Sequence, residues 1–351
     1  MSATEIGVLM SLMQVMRIFG PNLWGWVADH LHARVMVLRV TAIAALLLFC
    51  GMFVGQNFWT FFVVMALVNL FTGAQGPLSE ALMLTEMRGD LTHYGKLRLW
   101  GSVGFIVAVT VAGELLDRWG MGKMPAIAFA LLALLVVASL RLQESAPAPV
   151  SHADGSISSL LRKREVIAFF ISTCLMVAAH SALYVFYSLY LAQHGYSKSL
   201  IGLMWSLGVL AEIAFFYFQA PIFRRFGVRK LMLASLVIAV VRFLMIGLYA
   251  ESLVVLLVAQ LLHAATFATH HSSSVVTLQR WFSGRLQARG QALYTSISYG
   301  IGGSLGGLGL SQIWEHIGPQ GVYLAAAALS VVAAVAATLS FQWQHQHTRI
   351  T

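Results

Sequence analysis

Charged side chains interrupt segments of this chain that are otherwise almost wholly apolar. Four arginines and two glutamates lie inside such segments: Arg17, Arg39, Arg98, Arg242, Glu80 and Glu212. Burying a charge in an apolar medium costs about 3 kcal/mol even on lenient scales, so each group is a candidate for a functional site. A guanidinium can hold a carboxylate with two parallel hydrogen bonds, and a desolvated Glu or a His can exchange a proton near neutral pH. Because cations outnumber carboxylates, we expect an anionic ligand or backbone carbonyls to meet the excess positive charge.

The apolar segments that must position these side chains dominate the sequence. The chain has 351 residues, of which 59% are hydrophobic and 10% charged, and its mean hydropathy is +0.79. This composition excludes a soluble globular protein, in which about a quarter of the residues are charged. Eleven apolar runs can each cross roughly 30 Å of hydrocarbon as a helix, which satisfies its own backbone there, so we predict an all-α membrane protein. The runs lie near residues 5–27, 35–55, 58–83, 97–116, 124–140, 166–192, 200–222, 231–250, 253–277, 290–312 and 320–341.

The basic residues between these runs are distributed unevenly. Along the predicted topology, fifteen fall on one side of the membrane, and only Arg118, Lys123 and Lys198 fall on the other. The positive-inside rule then places the loops after the odd-numbered runs, and the C-terminus, in the cytoplasm of a multi-pass inner-membrane protein. The net charge of +9 therefore gives no reason to expect nucleic acid as a partner. Met1 would lie outside, and the simplest account is an absent inward-starting helix of roughly 30 to 40 residues.

Two segments recur at one fixed offset. Residues 6–12, IGVLMSL, return as IGLMWSL 195 residues later, and GWVADHLHAR from Gly25 aligns at the same offset with APIFRRFGVRK from Ala220. A shared offset indicates two copies of one unit, so we predict two helical bundles of six plus six spans, with the first helix missing. The predicted parts are an N-terminal bundle (1–141), a cytoplasmic linker (142–165), a C-terminal bundle (166–342) and a cytoplasmic tail (343–351).

The same offset relates Arg17 to Glu212, which therefore occupy equivalent depths on corresponding helices. One interpretation is a charge pair across a central cavity that breaks as the bundles rock, coupling proton or substrate binding to the change of access. The other is two unrelated buried charges, each satisfied within its own bundle.

The loop after the first run carries a motif of Gly25, Asp29 and Arg34, with His32 in place of a turn glycine. It resembles the cytoplasmic motif of major facilitator transporters, and the second copy keeps Gly227 and Arg229. The resemblance implies two six-helix bundles with a substrate site near the midplane, and a gating and structural role for the motif. Glycine permits close helix contact, and the carboxylate can anchor a helix end.

A closer resemblance covers nearly the whole chain. Its residues are PLSEAL at 77–82, YGKLRLWGSVGF at 94–105, AHSALY at 179–184 and SLGVLAE at 206–212. These segments resemble the phenylpropionate permease branch of the superfamily, which is related to lactose permease.

This resemblance implies roles for several charged residues. It places Glu80 and Arg98 where lactose permease contacts its substrate, and Arg242 and His263 where it carries its proton relay. The relay's glutamate is replaced here by Thr266, so the relay cannot be copied whole. The pair of Glu80 and Arg98 also has a purely structural interpretation, a salt bridge near the membrane face.

Other candidates complete the predicted site. With the relay glutamate replaced, Glu212 or Glu80 becomes the expected proton carrier. His180 and Tyr184, one helical turn apart, and the ring of Phe105 are expected to contact substrate, although packing explains them equally well.

We therefore expect a proton-coupled symporter of a small organic acid, with an aromatic acid of the phenylpropionate type as the first choice. Its partners would be that substrate, protons and the lipid bilayer, and it would act as a monomer. We expect no metal and no cofactor: His263 and His270 share a helix face, but no Cys or Asp completes a metal set.

Three alternatives remain at this point. One is a sugar or nucleoside symporter with the same fold, and another is a truncated, inactive transporter. The third is an intramembrane hydrolase, because Gly302, Ser304 and Gly306 match the GxSxG pattern. The surrounding glycines favour helix packing over a nucleophile, so we expect a transporter and not an enzyme.

Overall fold

The computed structural model describes residues 3–55, 57–87, 91–144 and 157–348, and this part of the chain is almost entirely helical, with no strand. The described residues form fourteen α-helices: α1 Ala3–Leu31, α2 Arg34–Phe49, α3 Phe58–Thr72, α4 Gln75–Met87, α5 Leu91–Trp119, α6 Met124–Arg141, α7 Ile157–Leu161, α8 Arg164–Gln193, α9 Lys198–Leu248, α10 Leu253–Leu261, α11 Thr269–Trp281, α12 Gln287–Tyr294, α13 Gly303–His316 and α14 Pro319–Thr348. Short 3₁₀ turns lie at Cys50–Phe53, Met121–Lys123 and Gly284–Leu286. Two π-helical segments, Ala264–Ala268 and Thr295–Gly302, continue α10 into α11 and α12 into α13.

Each predicted apolar run coincides with a helix or a helical series. Among the described residues, eight helices are long and apolar enough to cross a membrane. One of them, α9, contains two of the predicted runs. The all-α membrane class is thus confirmed, while the number of eleven spans stays a prediction.

Contacts divide the chain into two compact units. Unit 1 comprises residues 1–89, 107–153 and 282–300, and unit 2 comprises residues 90–106, 154–281 and 301–351. The first half of α5 thus belongs to unit 2, and α12 with most of its π-helical continuation belongs to unit 1. The predicted boundaries of the bundles, linker and tail stay a prediction.

The turn inside α9 lies where the second motif copy predicts a loop. Gly227 has φ 74° and ψ 157°, a conformation open essentially to glycine alone, and it separates the two helices of α9. Arg229 follows it on the exposed surface of unit 2. In the first copy, His32 takes the left-handed conformation with φ 53°. The residue that replaces the motif's glycine therefore carries the backbone strain that the glycine would have avoided.

The glycine-rich segment around Ser304 packs α13 against α8. A Cβ atom on Gly302 would lie 2.5 Å from the carbonyl oxygen of Cys174, and one on Gly306 would lie 2.5 Å from that of Ala178. The two glycines therefore allow direct backbone contact between the helices, as the packing interpretation predicts.

Arg39, the arginine inside the second predicted run, binds the end of a neighbouring helix. Its guanidinium donates hydrogen bonds to the carbonyl oxygens of Ser139, Leu140 and Leu142 at the C-terminus of α6. Glu144, just beyond that terminus, in turn accepts hydrogen bonds from the backbone N–H groups that begin α2. Arg39 is thus satisfied by backbone carbonyls, one of the two outcomes expected for the excess cations, and the two helices cap each other.

Candidate substrate and proton site

A buried acid–base pair lies at the centre of unit 2. The Oε1 atom of Glu212 on α9 is 2.7 Å from Nε2 of His263 at the end of α10, and both side chains are at least nine-tenths buried. The other ring nitrogen of His263, Nδ1, has no hydrogen-bond partner within the described part of the chain. The hydroxyl of Ser102 on α5 donates a second hydrogen bond to Glu212. The pair therefore has one short path along which a proton can pass between carboxylate and imidazole.

Two arginines surround this pair and both act on Glu212 electrostatically: Arg98 and Arg242. Arg242 is 1% exposed, and its hydrogen bonds go to neutral oxygens: the Ala259 carbonyl at 2.7 Å, the Thr266 hydroxyl at 3.1 Å and the Gln260 amide at 3.3 Å. Thr266, which replaces the relay glutamate, thus serves as a neutral ligand of this guanidinium. One carboxylate facing two guanidinium groups leaves excess positive charge, as the sequence predicts.

Arg98 reaches the pair from α5. Its Cζ atom is 5.0 Å from the centre of the Phe216 ring, a cation–π contact one turn along α9 from Glu212. Ser102 lies one turn along α5 from Arg98, so the two residues share a face of this helix. The sequence shows this four-residue spacing, but without the position of α9 it does not reveal that Ser102 faces Glu212.

Side chains of α8 form a polar and aromatic layer next to the acid–base pair. His180 is 2% exposed; its Nε2 atom lies 3.4 Å from the Thr266 hydroxyl, and its Nδ1 atom lies 2.9 Å from the Met176 carbonyl. Tyr184 is 50% exposed and stacks on Trp205, with 6.3 Å between ring centres. The structure thus brings His180, Arg242 and His263 together through Thr266, and it adds Trp205, which the sequence does not single out.

The remaining predicted site residues are Phe105, Glu80 and Arg17. Phe105 on α5 is 59% exposed, Glu80 on α4 is half-buried, and Arg17 on α1 is exposed. Glu80 and Arg17 belong to unit 1, whereas Arg98 and Glu212 belong to unit 2. The expected pairs of Glu80 with Arg98 and of Arg17 with Glu212 therefore stay predictions, as does the substrate role of Phe105.

A second polar cluster lies in unit 1, at the end of α1. A Cβ atom on Gly25 would lie 3.0 Å from that of Ala292 on α12, so α1 and α12 are in close contact. Arg34 donates hydrogen bonds to the Thr85 hydroxyl at 2.8 Å and to the Gly284 carbonyl at 3.1 Å. The backbone N–H of Arg289, in the first turn of α12, faces the Asp29 carboxylate. All three motif residues thus contact the segment 284–292.

Burial dominates the electrostatics of Asp29, which lies just beyond the predicted run 5–27. It raises the pKa of this carboxyl group from 3.8 to about 7, against the opposing effect of Arg34 and Arg289. The cluster therefore contains a carboxyl group that changes its charge near neutral pH.

Comparison with known proteins gives one consistent result. A sequence model of the MFS_1 like family matches residues 1–325. A probable 3-phenylpropionic acid transporter of Escherichia coli is 31% identical over 308 residues, which cover 86% of this chain and 79% of the relative. The nucleoside permease NupG of Escherichia coli is 25% identical over an alignment of 376 positions, which covers 97% of this chain and 88% of the relative.

Solved structures agree at the level of the fold. The fucose:proton symporter FucP of E. coli superposes with a TM-score of 0.75, covering 96% of this chain and 91% of that protein. The sequence identity is 16%, so this similarity concerns architecture alone.

Proposed function

Because the chain belongs to the MFS_1 like family, and is thus a multi-pass secondary transporter and not an enzyme, we propose that it is a proton-coupled symporter of a small organic acid. The first choice of substrate is an aromatic carboxylate of the phenylpropionate type, imported across the inner membrane by a monomer with a cytoplasmic C-terminus. Residues on its own helices supply both the anion site and the proton site, and no cofactor takes part.

One observation carries this proposal: the buried Glu212–His263 pair has two arginines beside it. The guanidinium of Arg98 can donate two parallel hydrogen bonds to a substrate carboxylate, and this second anion offsets the excess positive charge. A sugar or a nucleoside lacks such a charge. The relative named as a probable 3-phenylpropionic acid transporter supports the same choice.

The proton would move between Glu212 and His263. With Glu212 ionised, the Nε2–H group of neutral His263 donates to the carboxylate, and Arg98, Arg242 and Ser102 stabilise the negative charge. An incoming proton neutralises Glu212, which weakens its hold on Arg98 and frees that guanidinium for the substrate carboxylate. Release of the proton restores the carboxylate and displaces the substrate, so the two cargoes travel together.

Aromatic rings provide the complementary apolar contact. Tyr184 and Trp205 stack on the exposed side of the His180 layer. A phenyl ring can stack there while its carboxylate reaches Arg98. Phe105 is a further candidate for this contact.

The cluster of unit 1 is proposed to act as a gate. Gly25, Asp29 and Arg34 contact the segment 284–292, and alternating access requires such contacts to form and break in each cycle. The charge pair of Arg17 with Glu212 remains a second proposed coupling element. If the pair is real, Arg17→Glu combined with Glu212→Arg restores transport to inactive single variants.

The experiment that tests the function is uptake of a labelled panel by cells that produce the full chain. The panel contains aromatic acids, sugars and nucleosides, each measured with and without a protonophore. We expect saturable uptake of an aromatic acid that the protonophore abolishes. Saturable uptake of a sugar or a nucleoside alone would overturn the substrate class, and uptake that ignores the protonophore would overturn the coupling.

A further inference from the structure

The π-helical segment Ala264–Ala268 changes which histidine lies in line with His263. In a regular α-helix, residues seven apart share a face, which predicts that His263 and His270 do so. The π-helical turn accommodates one extra residue, and the Thr269 hydroxyl accordingly bonds back to the Ala264 carbonyl. The π-helical turn therefore brings His271 into line with His263.

Ring geometry shows this new register directly. His263 and Phe267 stack with 5.4 Å between centres and 8° between planes, and Phe267 and His271 stack with 6.4 Å and 11°. The three rings form one row along the helix. His270 points elsewhere, with Nδ1 3.2 Å from the hydroxyl of Ser235.

The surroundings of His271 connect it to the proposed substrate site. Arg98 from α5 acts electrostatically on His271 as well as on Glu212, and His270 is the other titratable neighbour acting on this ring. The adjoining Ser272 donates a hydrogen bond of 2.9 Å to Gln219 of α9, a neutral group that is fully buried. Arg98 thus interacts with titratable groups at both ends of the row.

The row points towards one end of unit 2. The chain runs from His263 through α11 to Arg280, and the first helix of α9 runs in the same direction to the basic turn at 224–230. His271 therefore lies between the Glu212–His263 pair and the basic end, which the charge distribution predicts to be cytoplasmic.

On the basis of the proton coupling proposed above, we infer that His271 is a second proton-carrying residue and that Phe267 is the barrier between it and the Glu212–His263 pair. The proton leaves protonated Glu212 through His263 and crosses to neutral His271 along water that enters when the Phe267 ring swings aside. Glu212 becomes a carboxylate and His271 an imidazolium, so charge is conserved. The imidazolium, close to Arg98, then releases its proton to water at the basic end.

His270 supplies a matched control for the first experiment. His271→Gln and His270→Gln are compared in proteoliposomes for exchange of labelled substrate without a gradient and for accumulation driven by a pH gradient. We expect His271→Gln to retain exchange and to lose driven accumulation at least about tenfold, because glutamine cannot carry a proton. We expect His270→Gln to retain both. Wild-type accumulation by His271→Gln, or equal losses in the two variants, would overturn the inference.

The second experiment removes the barrier. Phe267→Ala should leak protons in the absence of substrate, and the double variant with His271→Gln should not. If Phe267→Ala exchanges substrate but leaks no protons, this ring is not a barrier to protons. Wild-type protein without substrate-dependent proton uptake would overturn the proposed symport itself. If the wild-type protein couples normally and His271→Gln behaves in the same way, only the role of His271 as a second proton-carrying residue is overturned.

Discussion

Each unit contains a cluster of buried charged groups, and the two clusters differ in which partners satisfy those charges. In unit 1, Asp29 and Arg34 face backbone groups of the segment 284–292, at helix ends where unpaired N–H and C=O groups are available. In unit 2, Glu212 within α9 faces His263, which lies in the continuous helical series from α10 to α11. Charges at helix ends can hold elements together, whereas charges within helices must find side chains or a ligand. The comparison assigns anchoring to the first cluster and transport chemistry to the second.

The strongest test of this comparison removes the acid of unit 2. Glu212→Gln keeps the size of the side chain and a hydrogen bond to His263 but cannot carry a proton. We expect substrate accumulation driven by a pH gradient to fall by about 100-fold, to simple equilibration, while exchange persists. The exposed Glu251 provides the control, and Glu251→Gln should accumulate substrate normally. Full driven accumulation by Glu212→Gln would remove the proton role from unit 2.

Loss of the Arg98 guanidinium should have the next largest effect, and it should appear in the binding of the substrate carboxylate. A hydrogen bond to a charged group contributes about 1.5–3 kcal/mol, so Arg98→Gln should raise the half-saturating concentration of an aromatic acid by roughly 10-fold to 100-fold. Binding of the corresponding neutral amide should change little. Lys96→Gln, on the exposed side of the same helix, is the matched control. Equal losses for acid and amide would indicate a structural arginine.

The cluster of unit 1 should respond to pH through Asp29. The carboxyl group keeps its proton up to about pH 7 when buried, but an exposed carboxyl group loses it near pH 3.8. The buried contact is therefore fully favoured below about pH 4, weakens as the pH rises from about 4 to about 7, and weakens no further above that.

A thiol at Ala288, which is buried beside Gly25, reports this weakening. In Ala288→Cys, with both native cysteines replaced, maleimide labelling should increase from pH 5 to pH 8 beyond the intrinsic reactivity of the thiol. Adding Asp29→Asn should slow labelling most at pH 8, by roughly tenfold or more, and by a smaller factor at pH 5. Parallel pH profiles for the two proteins would contradict the assignment.

The smallest effects concern the two motif copies themselves. Gly227→Ala should lower the free energy of unfolding by about 1–3 kcal/mol, because its backbone conformation excludes other residues. His32→Gly should raise it by up to about 1 kcal/mol by relieving the left-handed strain. Thermal melting in detergent measures both changes. Ala33→Gly, at the neighbouring φ of −138°, should not stabilise the protein.

Much of the fold is readable from local pattern. The apolar runs predicted the helices, the glycines at 302 and 306 predicted close packing, and the repeated motif predicted the turn at Gly227. The resemblance to major facilitator transporters is confirmed by the 31% identical relative and by the family match over residues 1–325. These features depend on hydrophobicity, chain length and backbone sterics, which act over a few residues.

Partners across the fold were predicted less well. The sequence offered Glu212 or Glu80 as the proton carrier, and His263 only through the resemblance to a proton relay, but the structure joins Glu212 to His263. Arg39 was a candidate for an intramembrane charge, but it caps α6. The π-helical segment could not be anticipated either, because one extra residue in a turn depends on the packing around it.

The sequence by itself determined a membrane protein of repeated helices, with more positive than negative charge inside its spans, because transfer into lipid and helix geometry are properties of each segment. Only the tertiary structure decided which charge meets which. It placed His263 against Glu212, put His271 instead of His270 into the same row, and set Arg98 beside both. Those pairings arise from helices distant in sequence, and an electrostatic contact depends on a few ångströms that no spacing along the chain specifies.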